Sequence, residues 1–155
     1  MSRAFVKEDE ATEGVEDLPD RLISEHPNLV TPEGFAQIEA EVGRLSAEYA
    51  AAQTAHDRPT LSVVARDLRY WRVRQANAEV VTPPADATHV HFGSTVTIQR
   101  ADGRRQTFRI VGEDEAEPAR GTIPYVSPLA RALVGKGVGD VVKLGDGEVE
   151  VLEVG

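Results

Sequence analysis

Between Phe35 and Ala52 the apolar residues fall at spacings of 3, 4, 3, 4 and 3: Phe35, Ile38, Val42, Leu45, Tyr49, Ala52. A repeat averaging half of seven residues marks a coiled-coil seam, a narrower signal than a general amphipathic face. A second seam follows in Leu61, Val64, Leu68 and Trp71, extended by Gln75 and Ala78. Between them lies Ala55-His56-Asp57-Arg58-Pro59-Thr60, with Pro59 ending the first run. Two seams joined by so short a turn must close on each other, so residues 29–82 are expected to form an antiparallel helical hairpin. Arms of about 20 to 23 residues reach roughly 30 to 35 Å. Its entry is marked at Thr31-Pro32-Glu33. The Thr31 hydroxyl can cap free N–H groups, Pro32 needs no N–H at the first helical position, and Glu33 suits the positive end of the helix dipole.

The pattern changes after Thr82-Pro83-Pro84-Ala85-Asp86, where two prolines forbid a helix and residues 83–87 read as a linker. Beyond it, Val90–Phe92, Val96–Gln99 and Thr107–Val111 read as strands, the last two joined through Ala101-Asp102-Gly103, and Ile123–Val126 as another. Ser127-Pro128 repeats the cap-then-proline signal and opens a short helix over Leu129–Val134, stopped by Gly135 and Gly137. Asp140–Leu144 and Glu148–Val154 close the chain as a hairpin around Asp146-Gly147. The expected class is α+β: a helical hairpin, then a small sheet over 88–155 with one helix packed on it.

Composition narrows the function. The 155 residues include 26 acidic and 17 basic ones, a formal net charge of −9, which disfavours independent duplex DNA binding. Aromatics are 5% of the chain, too few for a base-stacking platform. Cysteine is absent, which removes disulfides, thiolate metal sites and cysteine nucleophiles. Of His26, His56, His89 and His91 only the last pair is close in sequence, with no third ligand in view, so they read as surface residues and no metal site is expected. No apolar run suits a membrane and no signal-peptide pattern opens the chain, so a cytoplasmic location is expected. Residues 1–28, with Glu8, Asp9, Glu10, Glu13, Glu16, Asp17, Asp20 and Glu25, read as a solvated, disordered acidic tail. The other reading is a tail that docks on a basic surface or lends carboxylates to a metal.

Three blocks in the second half keep a recognisable order: Phe108-Arg109-Ile110-Val111-Gly112-Glu113-Asp114-Glu115-Ala116, then Ser127-Pro128-Leu129-Ala130-Arg131-Ala132-Leu133-Val134-Gly135-Lys136, then Gly139-Asp140-Val141-Val142. They resemble the C-terminal domain of the bacterial GreA/GreB transcript-cleavage factors. Phe92-Gly93-Ser94-Thr95-Val96 resembles that domain's opening strand, and Leu29-Val30-Thr31-Pro32-Glu33-Gly34 resembles the family's first helix start. The resemblance covers residues 29–155 and implies a coiled-coil hairpin followed by an FKBP-like domain. It implies bacterial RNA polymerase as partner, with the C-terminal domain docking at the rim of the secondary channel and the hairpin entering it. It further implies Pro124, Tyr125, Val126, Ser127, Pro128 and Arg131 as the partner-binding edge. Any magnesium would belong to the polymerase active site, so the chain itself needs no cofactor and is not an enzyme in its own right.

The tip departs from the family's acidic motif, an Asp followed closely by a Glu and an Asn. Here Asp57 is the one tip carboxylate, the weak catalytic candidate, and Arg58 beside it opposes a magnesium ion. The hairpin is also several turns shorter than in the cleavage factors, and in this it resembles the Gre-related Rnk regulators. The docking edge departs too, with Pro124 and Val126 where the family presents a Ser and then an Asp or Asn. On the second arm Arg58, Arg66, Arg69 and Arg72 offer contact to nascent RNA or to an acidic channel wall; the plainer reading is a solvated face balanced by Glu39, Glu41 and Glu48 of the first arm. Trp71 lies in the seam and reads as core. The acidic loop Glu113, Asp114, Glu115 and Glu117 reads as facing water or a basic polymerase surface. The resulting expectation is a polymerase-binding regulator acting by channel occupancy without strong cleavage. Its alternatives are an active cleavage factor and an FKBP-like prolyl isomerase with Phe92, Phe108 and Tyr125 as its aromatics.

Overall fold

A computed structural model of the protein describes residues 18–85 and 87–155. Most of the acidic tail (residues 1–17) and Asp86 of the linker lie outside the described residues. Helices α1 (Pro32–Thr54) and α2 (Arg58–Ala76) form the hairpin. Its core holds Leu45, Val64 and Leu68, with Val42, Tyr49 and Trp71 packed against them, all six from the two seams. At about 1.5 Å per residue the arms measure roughly 34 and 28 Å. Pro59 does not end the first run as the sequence implies. It stands in the first turn of α2, where its missing N–H costs nothing, and the turn contracts to Ala55–Asp57.

The chain divides into two compact units. One holds Ala36–Asn77 with the described part of the N-terminal segment up to Glu25; the other holds His26–Phe35 and Ala78–Gly155. The hairpin boundaries of 29–82 therefore need correcting. Leu29–Val30 (β1) and Glu79–Val80 (β2) are short parallel strands, not helix. Glu79 N donates to the Asn28 carbonyl and Val81 N to the Val30 carbonyl, each at 2.9 Å. The expectation of a disordered tail also fails where the chain is described. Residues 18–21 are tied to α2 by ion pairs, and Asn28 is buried.

The second unit is built on a five-stranded sheet of β3 (Thr95–Arg100), β4 (Arg105–Val111), β5 (Thr122–Pro124), β6 (Val141–Leu144) and β7 (Gly147–Val154). The spatial order is β5-β4-β3-β7-β6, antiparallel throughout except for the parallel β4–β5 pair. Period-two alternation puts Val96 and Ile98 of β3 and Val149 and Val151 of β7 into one core. Helix α3 (Pro128–Leu133) closes that core with Ala130 and Leu133, both fully enclosed. Val90–Phe92 is not a strand. Val90 is buried and exchanges two bonds with the Gly135–Lys136 backbone, but the chain then turns: Ser94 N donates to the His91 carbonyl at 3.0 Å, and Gly93 adopts φ 87°.

Candidate functional site

The edge expected to bind a partner follows directly from how β5 ends. Pro124 pairs in register with Val111, and Tyr125 N continues the ladder to the Val111 carbonyl at 2.9 Å. The chain then turns, with Ser127 N donating to the Pro124 carbonyl at 3.0 Å. Ser127 caps α3, its Oγ accepting from Ala130 N at 3.2 Å, and Pro128 takes the first turn. Because Ala130 and Leu133 face the core, Pro128 and Arg131 are left exposed on the opposite side. Tyr125 is fixed twice: its ring meets Phe92 edge-on at 5.7 Å, and its hydroxyl donates to the Pro27 carbonyl at 2.5 Å. Pro124, Tyr125, Val126, Ser127, Pro128 and Arg131 thus form one continuous edge, half-buried at Pro124–Ser127 and exposed at the start of α3.

At the hairpin tip, His56 takes a left-handed backbone, φ 55°, uncommon for a residue with a side chain. This aims Asp57 at the start of α2. Asp57 Oδ1 accepts from Thr60 N at 3.3 Å, and Oδ2 accepts from the Thr60 hydroxyl at 2.6 Å. The one acidic tip residue is therefore the cap of α2. Arg58, exposed, follows it at once.

The arginines of α2 do not make a uniform stripe. Arg66 bonds its neighbour Asp67 through Nε at 3.2 Å, Arg69 pairs with Asp20 at 2.6 Å, and Arg72 is exposed. Arg74, two residues further on and outside that set, is buried. Two of the carboxylates expected to balance them are engaged within α1, where Arg44 bonds both Glu41 and Glu48. The Arg44 guanidinium holds the Glu41 carboxyl below its ordinary range, chiefly by hydrogen bonding.

The acidic loop departs most from its sequence reading. Glu115 turns inward. One of its oxygens accepts from Thr31 N at 2.9 Å and from Gly112 N at 3.1 Å, and the other accepts from the Thr31 hydroxyl at 2.5 Å. Thr31 Oγ in turn accepts from Gly34 N at 3.0 Å, so it caps α1 as its sequence predicts. A Cβ on Gly34 would lie 2.2 Å from a Glu115 oxygen, so the carboxylate fits only where that side chain is missing. At the same helix start, Glu33 is held below its ordinary value of 4.5, first by a backbone hydrogen bond and then by the charge of Arg109.

His89 and His91 are both exposed, and His89 Nδ1 shares a hydrogen with the Thr88 hydroxyl at 3.0 Å. Among the described residues no group of three or more His, Cys, Asp or Glu is arranged to hold a metal ion. No described helix is long and apolar enough to cross a membrane. A concavity of about 210 Å³ beside β3 and β7 is lined by Gln99, Arg100, Ala101, Val141 and Glu148–Glu150, without an aromatic. Phe108 and Tyr125 instead pack against the sheet core.

Comparison with known proteins bears on this architecture. Residues 85–155 match the family described as "Transcription elongation factor, GreA/GreB, C-term". The chain is 37% identical over 127 residues to transcription elongation factor GreB of Pseudomonas aeruginosa, covering 70% of this chain and 76% of that protein. The chain belongs to the GreA/GreB family. Against transcription elongation factor GreA of Alkalilimnicola ehrlichii, identity is 39% over 116 residues, 70% of each chain. Against GreA of Helicobacter pylori it is 40% over 85 residues, and there the match spans about half of each, 51% of this chain and 52% of the relative. The crystal structure of GreA factor homolog 1 of Thermus thermophilus aligns over 84% of this chain and 99% of its own, with a TM-score of 0.41 at 19% identity. The GreA/GreB assignment agrees with the helical hairpin and the helix-bearing sheet that the sequence predicts.

Proposed function

We propose that the protein is an RNA polymerase-binding regulator that docks through its sheet domain at the secondary channel. It acts there by occupying the channel, without strong transcript cleavage. The observation that carries this reading is the state of the tip. A factor that assists hydrolysis has to bring carboxylate oxygens to a catalytic magnesium, and that ion demands ligands at about 2.0 to 2.1 Å in near-octahedral geometry. Asp57 has both oxygens engaged by Thr60, and giving up that cap costs about 1 kcal/mol. Arg58 adds a like charge beside the incoming cation. The short arms, 23 and 19 residues, reduce the reach further. Any cleavage would use the polymerase's own metal ions, and the factor would supply no cofactor.

Docking is assigned to the edge Pro124–Pro128 with Arg131, rigid because Tyr125 and Ser127 are each fixed by two contacts. Contact with nascent RNA falls to Arg58 and Arg72, the exposed members of the basic set. The test uses core polymerase in stalled, backtracked complexes. The protein is expected to displace a bound GreB-type cleavage factor and to release no short 3′ RNA fragments above the level of polymerase alone. Fragments that appear with the wild type and vanish with Asp57→Ala would establish the cleavage-factor reading instead. Failure to compete at all would remove the docking reading.

A further inference from the structure

We propose that residues 18–21 are an internal strap. In the free protein it covers a mixed charged and aromatic face of α2, and a segment of another protein carrying an acid followed by a base binds that face by displacing it. Arg69 is the centre of the contact. Its Nε donates to Asp20 Oδ1 at 2.6 Å and its Nη2 to the Leu18 carbonyl at 3.4 Å. One residue on, the Arg21 guanidinium lies 3.9 Å above the Tyr70 ring and 5.9 Å from the Trp71 ring, with Nη1 3.6 Å from Asp67 Oδ1. Tyr70 and Trp71 stand edge to face at 5.2 Å, and the arginine is within reach of both, nearer to Tyr70.

The strap is built to come off. Its apolar hold is slight: Leu18 is only half-buried, Leu22, the residue after the strap, is 95% exposed, and the Asp20 side chain is 74% exposed. Exposed ion pairs and cation–π contacts of this kind each change an equilibrium only a few-fold. The chemistry of the face also selects its ligand. Arg69 takes a carboxylate, while Asp67 and the two rings take a guanidinium. Asp67 in the middle repels a continuous run of phosphates. A peptide carrying an acid followed by a base fits better than a nucleic acid strand.

The probe is a labelled peptide with the sequence of residues 16–25, added in trans to the full chain. Trp71 is the protein's one tryptophan, so its emission reports on the face directly. Arg21→Ala is expected to shift Trp71 emission and to tighten peptide binding about three- to fivefold by loosening the strap in cis. Simple charge counting gives the opposite sign, since the substitution removes a positive charge. Asp20→Asn, a second variant, is expected to tighten binding similarly, and Arg69→Glu to abolish it. Unchanged emission and affinity in Arg21→Ala would overturn the proposal. So would a decamer of uridine binding more tightly than the peptide, which would make the face a nucleic-acid site.

Discussion

In the sheet unit Val90, Val96, Ile98, Ile110, Ala130, Leu133 and Val151 are enclosed on every side. In the hairpin Leu45, Val64 and Leu68 are buried, while Val42, Tyr49 and Trp71 each keep an edge in water. The contrast is geometric. A sheet covered by a helix gives a core residue neighbours from two layers, but a pair of helices can shield only one stripe on each. The sheet unit is held by its interior. The hairpin leans on the caps at its ends: Asp57 at the turn and Thr31 at its entry.

Leu133→Ala tests the stronger side of that contrast and carries the largest expected effect. Deleting a fully enclosed leucine side chain costs about 2 to 5 kcal/mol, and Leu68→Ala in the hairpin is expected near the bottom of that range. Urea unfolding of each variant, followed by far-UV dichroism and by Trp71 emission, compares the two losses; equal losses would break the comparison. Thr31→Val comes next. It keeps the shape but removes the hydroxyl that caps α1 and donates to Glu115, for an expected loss of about 1 to 2 kcal/mol in thermal or urea denaturation. A loss within error of zero would show that the cap contributes nothing.

The smallest effect concerns pH. Glu41 has its carboxyl depressed in the folded chain, so its contribution is fully present above the ordinary value of 4.5 and is lost as pH falls through the lower folded value. Half-exposed pairs along a helix are worth about 0.3 to 0.5 kcal/mol, so Glu41→Gln is expected to flatten the acid limb of a stability curve only slightly. A variant that loses stability equally at pH 7 and pH 3 would show that the carboxylate's charge is not what matters.

The sequence made the two seams, the strand alternation of β3, β4 and β7, and the Ser127-Pro128 helix start readable, because each repeats a local period or cap. It did not reveal β1 and β2, since two-residue strands paired across fifty positions leave no local period. The inward turn of Glu115 was hidden among Glu113, Asp114 and Glu117, which look alike to any composition argument. The edge proposed for docking, Pro124–Pro128 with Arg131, came from the resemblance rather than from spacing. Residues 18–21 were read as tail because their partners, Asp67 to Trp71, lie some fifty residues away.

The parallel pairing of Leu29–Val30 with Glu79–Val80 fixes the chain where it departs into the helices and where it returns. Everything between those two points is a loop excursion as far as the sheet unit is concerned. Whole turns can be added to or removed from both arms in step while that seam stays registered. Natural selection can therefore lengthen or shorten the helices and rewrite their turn without disturbing the register of the sheet unit.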